Sequence, residues 1–111
     1  MTLSAKQSLF LFNVARLIMW INEQPGMTAT CGEFFRPQEM QDIYLKTGKS
    51  KAKHSRHQDR LAADLNLFIN GVYVTDKESY KPVAEHWKKL NPDNVAGYDW
   101  GWDANHFEMK P

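Results

Sequence analysis

A chain of 111 residues that is 42% apolar and holds four tryptophans is enough for one packed domain spanning 1–111, and it excludes a disordered tail. Fourteen basic against thirteen acidic residues leave a net charge of +1, so no bulk field points to nucleic acid or a membrane as a partner. The single cysteine, Cys31, excludes an internal disulfide framework and a cysteine-based structural zinc site.

In chain order, the pattern predicts a first helix over residues 4–23. Ser4 and Gln7 have capping-box spacing, and Pro25-Gly26 stops the helix. Lys6, Asn13, Arg16 and Glu23 form one narrow polar stripe, so burial on most other sides is expected. The apolar run 9–21 is broken by Asn13 and Arg16 and falls short of the ~20 residues a membrane span needs. No basic region leading to a small-residue cleavage site is evident. The expectation is a soluble chain made in the cytoplasm without a signal peptide. Residues 27–35 read as a short extended segment. Arg36-Pro37 then opens a second helix that ends at Thr47-Gly48, and 49–56 is a polar, basic loop. Residues 61–69 make the best strand, Asn70-Gly71 a hairpin turn, and 72–74 the returning strand. A third helix spans 79–90, closed by Asn91-Pro92, and the aromatic tail 97–109 contributes one or two more strands. The fold class is α+β: a small antiparallel sheet with about three helices.

Alternation along 61–69 puts Ala63, Leu65, Leu67 and Ile69 on one face and Asp64 and Asn66 on the other. Asp64 therefore projects away from the core on a rigid element. His57 lies seven residues earlier, an odd spacing that would face it the opposite way on a straight strand. It must sit in the preceding loop, which can fold it back toward Asp64. In the tail, a strand at His106 sends Phe107 to the core and gives Glu108 the histidine's face, with Asp103 on the approach. By spacing alone two readings stand: a metal site, or a solvated loop histidine, a strand-end aspartate and an aromatic tail.

The segment Ser55-Arg56-His57-Gln58-Asp59-Arg60-Leu61-Ala62-Ala63-Asp64 resembles the signature Ser-x-His-x-x-Gly-x-Ala-x-Asp of the zinc D-alanyl-D-alanine carboxypeptidases. It is more similar still to their phage relatives, the L-alanyl-D-glutamate endopeptidases that serve as endolysins. Asp103-Ala104-Asn105-His106-Phe107-Glu108 resembles that family's closing motif, and similarity extends through Gly32-Glu33-Phe34-Phe35-Arg36-Pro37-Gln38-Glu39 and the 65–74 hairpin. Arg60 departs from the pattern, standing where the carboxypeptidases have glycine.

The resemblance implies zinc held by His57, Asp64 and His106, with Asp103 as general base. Three ligands plus water is the open arrangement of a catalytic zinc, which acidifies its water and polarises the scissile carbonyl. Arg36 matches the family's upstream arginine and is the candidate oxyanion donor, against the alternative of an ion pair with Glu33 or Glu39. Glu108 competes with Asp103 for the role of base. A side chain two residues along a strand is displaced by about 6–7 Å, however, so Glu108 is expected to hold an outer hydrogen bond or a neighbouring basic group instead. Ser55 is expected to brace the His57 loop. His54 is read as a solvated rival to His57, and His86 as structural. The basic run Lys46, Lys49, Lys51, Lys53, Arg56 and Arg60 is a solvated face or an attractor for anionic wall polymer, and Trp100 and Trp102 line the cleft or pack in the core.

The implied activity is hydrolysis of the L-alanyl-D-glutamate bond in peptidoglycan stem peptides by a monomer that reaches the cell wall after release by a partner pore-former. The alternatives are a D-alanyl-D-alanine carboxypeptidase and a non-catalytic wall-binding module on the same fold.

Overall fold

The computed structural model describes residues 1–111. Helix α1 (Leu3–Glu23) is capped by Thr2, two residues before the expected Ser4: Thr2 is extended and its hydroxyl accepts the Ala5 N–H at 3.2 Å. It ends where Gln24 turns extended and Gly26 takes φ 72°. Only one face of α1 is buried, through Phe10, Asn13, Val14, Leu17 and Ile21. Burial on most sides is thus overturned. Asn13, expected in the polar stripe, is 1% exposed and donates to the Leu9 carbonyl, while its Oδ1 has no partner.

Strand β1 (Met27–Cys31) pairs antiparallel with β2 (Ala62–Ile69), and β3 (Val72–Tyr73) returns along β2. Asn70 and Gly71 both hold positive φ, 51° and 78°, as a tight hairpin turn requires. Helix α2 (Gln38–Thr47) is capped by Pro37 and stopped by Gly48 at φ 79°. Helix α3 (Lys77–Leu90) begins at Asp76, whose carboxylate accepts the Ser79 N–H at 3.0 Å; Ser79 lies inside the first turn rather than at its start. The tail forms a short 3-10 turn (Gly97–Trp100) and strand β5 (His106–Met109). A strand not foreseen, β4 (Asn94–Ala96), precedes it and pairs with β5. The sheet order is β1-β2-β5-β4, with β3 beside the distal half of β2. This is the expected α+β arrangement of three helices and a small antiparallel sheet. No helix is long and apolar enough to cross a membrane.

Alternation along β2 and β5 divides the sheet. Ala63, Leu65, Leu67, Phe107 and Met109 face α1 and α3 and close a core with Leu17, Ile21, Val83 and Trp87. Each large side chain so buried contributes roughly 1.5–3 kcal/mol. The Trp87 indole N–H is shared between the carbonyls of Val95 (3.1 Å) and Glu108 (3.2 Å), fastening α3 across β4 and β5. The opposite face carries Asp64, Asn66, His106 and Glu108.

Candidate metal centre

Asp64 and His106 are cross-strand partners on β2 and β5, so sheet register alone sets them side by side. His106 Nδ1 lies 3.2 Å from Asp64 Oδ1. His57 arrives from a compact turn ahead of β2, its Nε2 3.3 Å from the same oxygen. That turn is closed by Leu61 N–H to Arg56 O (3.0 Å) and braced by the Ser55 hydroxyl, which accepts the His57 N–H at 3.2 Å. Arg60 adopts φ 56°, the left-handed region that glycine enters without steric cost. The Arg60 guanidinium rests 4.1 Å from the Phe35 ring centroid.

The extended backbone beyond β1 holds the site from the other side. Gly32 N–H donates to Asp64 O (2.7 Å), Asp64 N–H to Glu33 O (2.8 Å) and Arg36 N–H to His57 O (3.1 Å). A Cβ on Gly32 would sit 3.0 Å from Asp64 Cβ, a contact tight enough to press on the Asp64 side chain by a few tenths of an ångström.

Each imidazole has one nitrogen committed outside the centre. His57 Nδ1–H donates to the Phe34 carbonyl at 3.0 Å, leaving Nε2 turned inward toward Asp64. His106 Nε2 bonds Glu108 Oε1 at 2.8 Å, leaving Nδ1 inward. Such outer partners orient ligand imidazoles and fix their tautomers. The three inward atoms all lie within 4.8 Å of one another. Two imidazole nitrogens and a carboxylate oxygen, buried or half-buried, make a donor set that fits zinc with a position left open.

Burial pushes the Asp64 carboxyl up, but hydrogen bonds from His106 and His57 outweigh it and bring the group to about 2. Burial likewise pushes His106 toward neutrality, and the bonds to Asp64 and Glu108 with the charge of Asp103 reverse this, raising it to about 9. Asp103 lies 3.7 Å from His106 Nδ1, on the inward side, in the turn closed by His106 N–H to Asp103 O (3.1 Å). Burial raises its pKa above the ordinary carboxylate value, against the lowering charge of His106.

Gly97 packs under this turn: a Cβ there would fall 2.1 Å from Asp103 O and 2.9 Å from His106 Cβ. The sequence reading passed over Gly97, although a glycine opening the aromatic tail was visible.

Arg36 Nε donates to Glu33 Oε1 at 2.6 Å, its Nη1 donates to Gln41 Oε1 at 2.7 Å, and its guanidinium lies 4.7 Å from the Tyr44 ring centroid. The ion pair with Glu33 is thus present, and Glu39 takes no part. Gln41, also missed, is fully buried and donates from Nε2 to Ser50 Oγ and Ala52 O, pinning the basic loop to α2.

The other candidates fall outside the centre. His54 is exposed and bonds Asp59 at 2.7 Å; His86 stacks on Trp20 at 4.4 Å. Lys46, Lys49, Lys51 and Lys53 are solvated, and Arg56 pairs with Asp59. Trp100 and Trp102 are exposed rather than in the core, and the Trp100 ring sits 5.2 Å from that of His106. A polar cavity of about 200 Å³ between Tyr73, Thr75, Trp102 and Asn105 opens beside Asp103. A larger, mainly apolar cavity of about 380 Å³ lies behind the His57 turn, lined by Phe10, Leu11, Phe34 and Phe35.

Among solved structures, the fold is similar to that of the Serratia marcescens L-Ala D-Glu endopeptidase ChiX, with a TM-score of 0.72 at 20% sequence identity. The match covers 88% of this chain and 78% of that one. Neither a protein-family model nor a curated protein sequence matches the chain.

Proposed function

We propose that the chain is a zinc-dependent peptidoglycan endopeptidase that hydrolyses the L-alanyl-D-glutamate bond of stem peptides. The observation that carries this reading is the inward convergence of His57 Nε2, Asp64 Oδ1 and His106 Nδ1 beside the buried carboxylate of Asp103. The fold similarity to an L-Ala D-Glu endopeptidase supports the same class of substrate. His57, Asp64 and His106 would hold the ion, and a bound zinc supplies Lewis acidity that polarises a carbonyl and acidifies water. Asp103 takes the proton from the attacking water and returns it to the departing amine, a role its raised proton affinity suits. Glu108 and the Phe34 carbonyl hold the two imidazoles in their tautomers. Arg36 borders the site and is the candidate to neutralise the developing oxyanion. The chain acts at the cell wall after release from the cytoplasm.

Digestion of purified sacculi followed by mass analysis of the muropeptides tests the bond. New D-glutamyl amino termini are expected, lost in excess chelator and restored by zinc. Free D-alanine from stems otherwise whole would make the chain a carboxypeptidase. No cleavage by the zinc-loaded chain would make it a binding module. Full activity with no metal by elemental analysis would refute the zinc assignment.

A further inference from the structure

The stretch between β4 and β5 folds two tryptophans over the edge of the metal centre. Gly101, left-handed at φ 92°, ends the 3-10 turn with its N–H on the Tyr98 carbonyl, and this reversal brings together the indoles on either side of it. The rings of Trp100 and Trp102 stand 5.7 Å apart, tilted by 32°. Trp100 lies against His106, and Trp102 is 77% exposed with no part in the core. Beside Trp102 opens the polar cavity walled by Tyr73, Thr75, Asp103 and Asn105. Tyr80 also borders it, but its hydroxyl is spent on the Leu67 N–H and the Val74 carbonyl. The other polar groups are two hydroxyls and an amide, all neutral, and the one charge is the Asp103 carboxylate.

We infer that this cavity and its tryptophans seat the glycan end of the wall substrate, the lactyl-linked amino sugar that precedes L-alanine. The inference deepens the endopeptidase reading and rests on it. Charge sets the direction. A stem peptide is neutral ahead of the scissile bond, where the lactyl group and sugar stand, and anionic from D-glutamate onward. A cavity whose one charge is a carboxylate repels the anionic half and admits the neutral one. Arg36, whose N–H bonds the His57 carbonyl, marks the opposite side of the centre, where the anionic half then lies.

Reach agrees with charge. One residue and a lactyl group of similar length separate the scissile carbonyl from the sugar, about 7 Å of chain. Trp100 has its ring centroid 5.2 Å from that of His106, and Trp102 adjoins Asp103 in the chain, so the aromatic surface begins at that distance. The chemistry agrees too. A sugar ring presents C–H groups that pack on the electron-rich face of an indole. Its hydroxyl and acetamido edge can bond Tyr73, Thr75 and Asn105. The methyl of L-alanine is too short to use such a surface, so a stem without its sugar gives Trp102 nothing to hold.

Binding is tested on the metal-free chain by the indole N–H resonances of its four tryptophans. N-acetylmuramyl-L-alanine methylamide is expected to shift those of Trp100 and Trp102 and to leave Trp20 and Trp87 in place. N-acetyl-L-alanine methylamide at the same concentration should shift none. With the zinc-loaded chain, kcat/KM for a stem carrying its disaccharide is expected to exceed that for the N-lactoyl stem by about ten-fold, the size of one aromatic contact. Trp102→Ala should bring that ratio to about one, and Trp102→Tyr should restore it. Equal shifts from both probes, or none, would overturn the inference, as would a ratio that survives Trp102→Ala. A chain that binds the muramyl probe and cleaves no stem keeps this subsite and loses the endopeptidase reading. A chain that cleaves both stems equally, with no shift, keeps the endopeptidase and loses the subsite.

Discussion

Two carboxylates flank His106, and the proposed chemistry needs one of them as base, so Asp103→Asn and Glu108→Gln form a decisive pair. Asp103 Oδ2 is 3.7 Å from the inward Nδ1, whereas Glu108 Oε1 is 2.8 Å from Nε2 on the far side of the ring. Only Asp103 faces the space where water and substrate must meet. Its amide analogue cannot accept a proton, so turnover should fall by about 10²–10⁴, or roughly 2.7–5.5 kcal/mol in barrier. Metal content should hold. Glu108→Gln retains a carbonyl oxygen that can accept the Nε2 proton, and it loses only the charged part of that bond. This should weaken metal affinity by about 10–100-fold and leave turnover at saturating zinc largely intact. His106→Ala, by contrast, should lose the metal itself. The assay is cleavage of a synthetic stem peptide followed by chromatography and mass detection, with zinc measured on the same samples. A dead, zinc-loaded Glu108→Gln beside an active Asp103→Asn would refute the assignment.

Arg36→Ala should lower turnover by about 10²–10³, as loss of an oxyanion donor does. It should also cost about 1–3 kcal/mol of stability, because Glu33 and the buried Gln41 lose their shared partner; unaltered kinetics with a lowered melting temperature would leave Arg36 a brace alone. Gly97→Ala should destabilise the fold by about 1–3 kcal/mol and lower activity, since the added carbon collides with the Asp103 carbonyl; a wild-type melting curve would contradict the close approach. In the metal-free chain His106 titrates at about 9, above its ordinary 6.5, so the stability it contributes is complete below pH 6.5 and lost as pH rises through 9. Asp64, lowered from 3.8 to about 2, contributes above pH 3.8 and loses that contribution as pH falls through 2. Melting of the metal-free protein should decline across both windows, and zinc uptake at pH 7 should release about one proton, measurable by calorimetry in two buffers.

Spacing made the placement of single residues legible, while their grouping as one centre came from the resemblance of the 55–64 and 103–108 segments to the zinc peptidases. Alternation placed Asp64 away from the core, the odd interval forced His57 into a turn, and Asn70-Gly71 fixed the hairpin. Glu108 could be assigned to His106's face by the same rule. What escaped the sequence depends on partners far along the chain. Three residues, Asn94–Ala96, form a strand only because β5 runs beside them. The Phe34 carbonyl that orients His57 is a backbone atom with no side-chain signal. Helix α1 misled because a helix apolar on nearly every side reveals which faces can be buried, not which one is. Asn13 went into the core while Leu11, Phe12 and Met19 stayed out.

The direct pairing of Asp64 with His106 has a consequence for how this centre moves. A slip of β5 by one residue would bring Phe107 beside Asp64 and drive His106 and Glu108 into the core, so partial loosening of these strands has no stable resting place. Their amides should exchange with solvent only when the whole molecule unfolds. Whatever yielding a polymeric substrate demands must then come from the segments that carry the remaining groups, the His57 turn and the stretch from Gly97 to Asn105. The centre is a fixed floor with two adjustable walls.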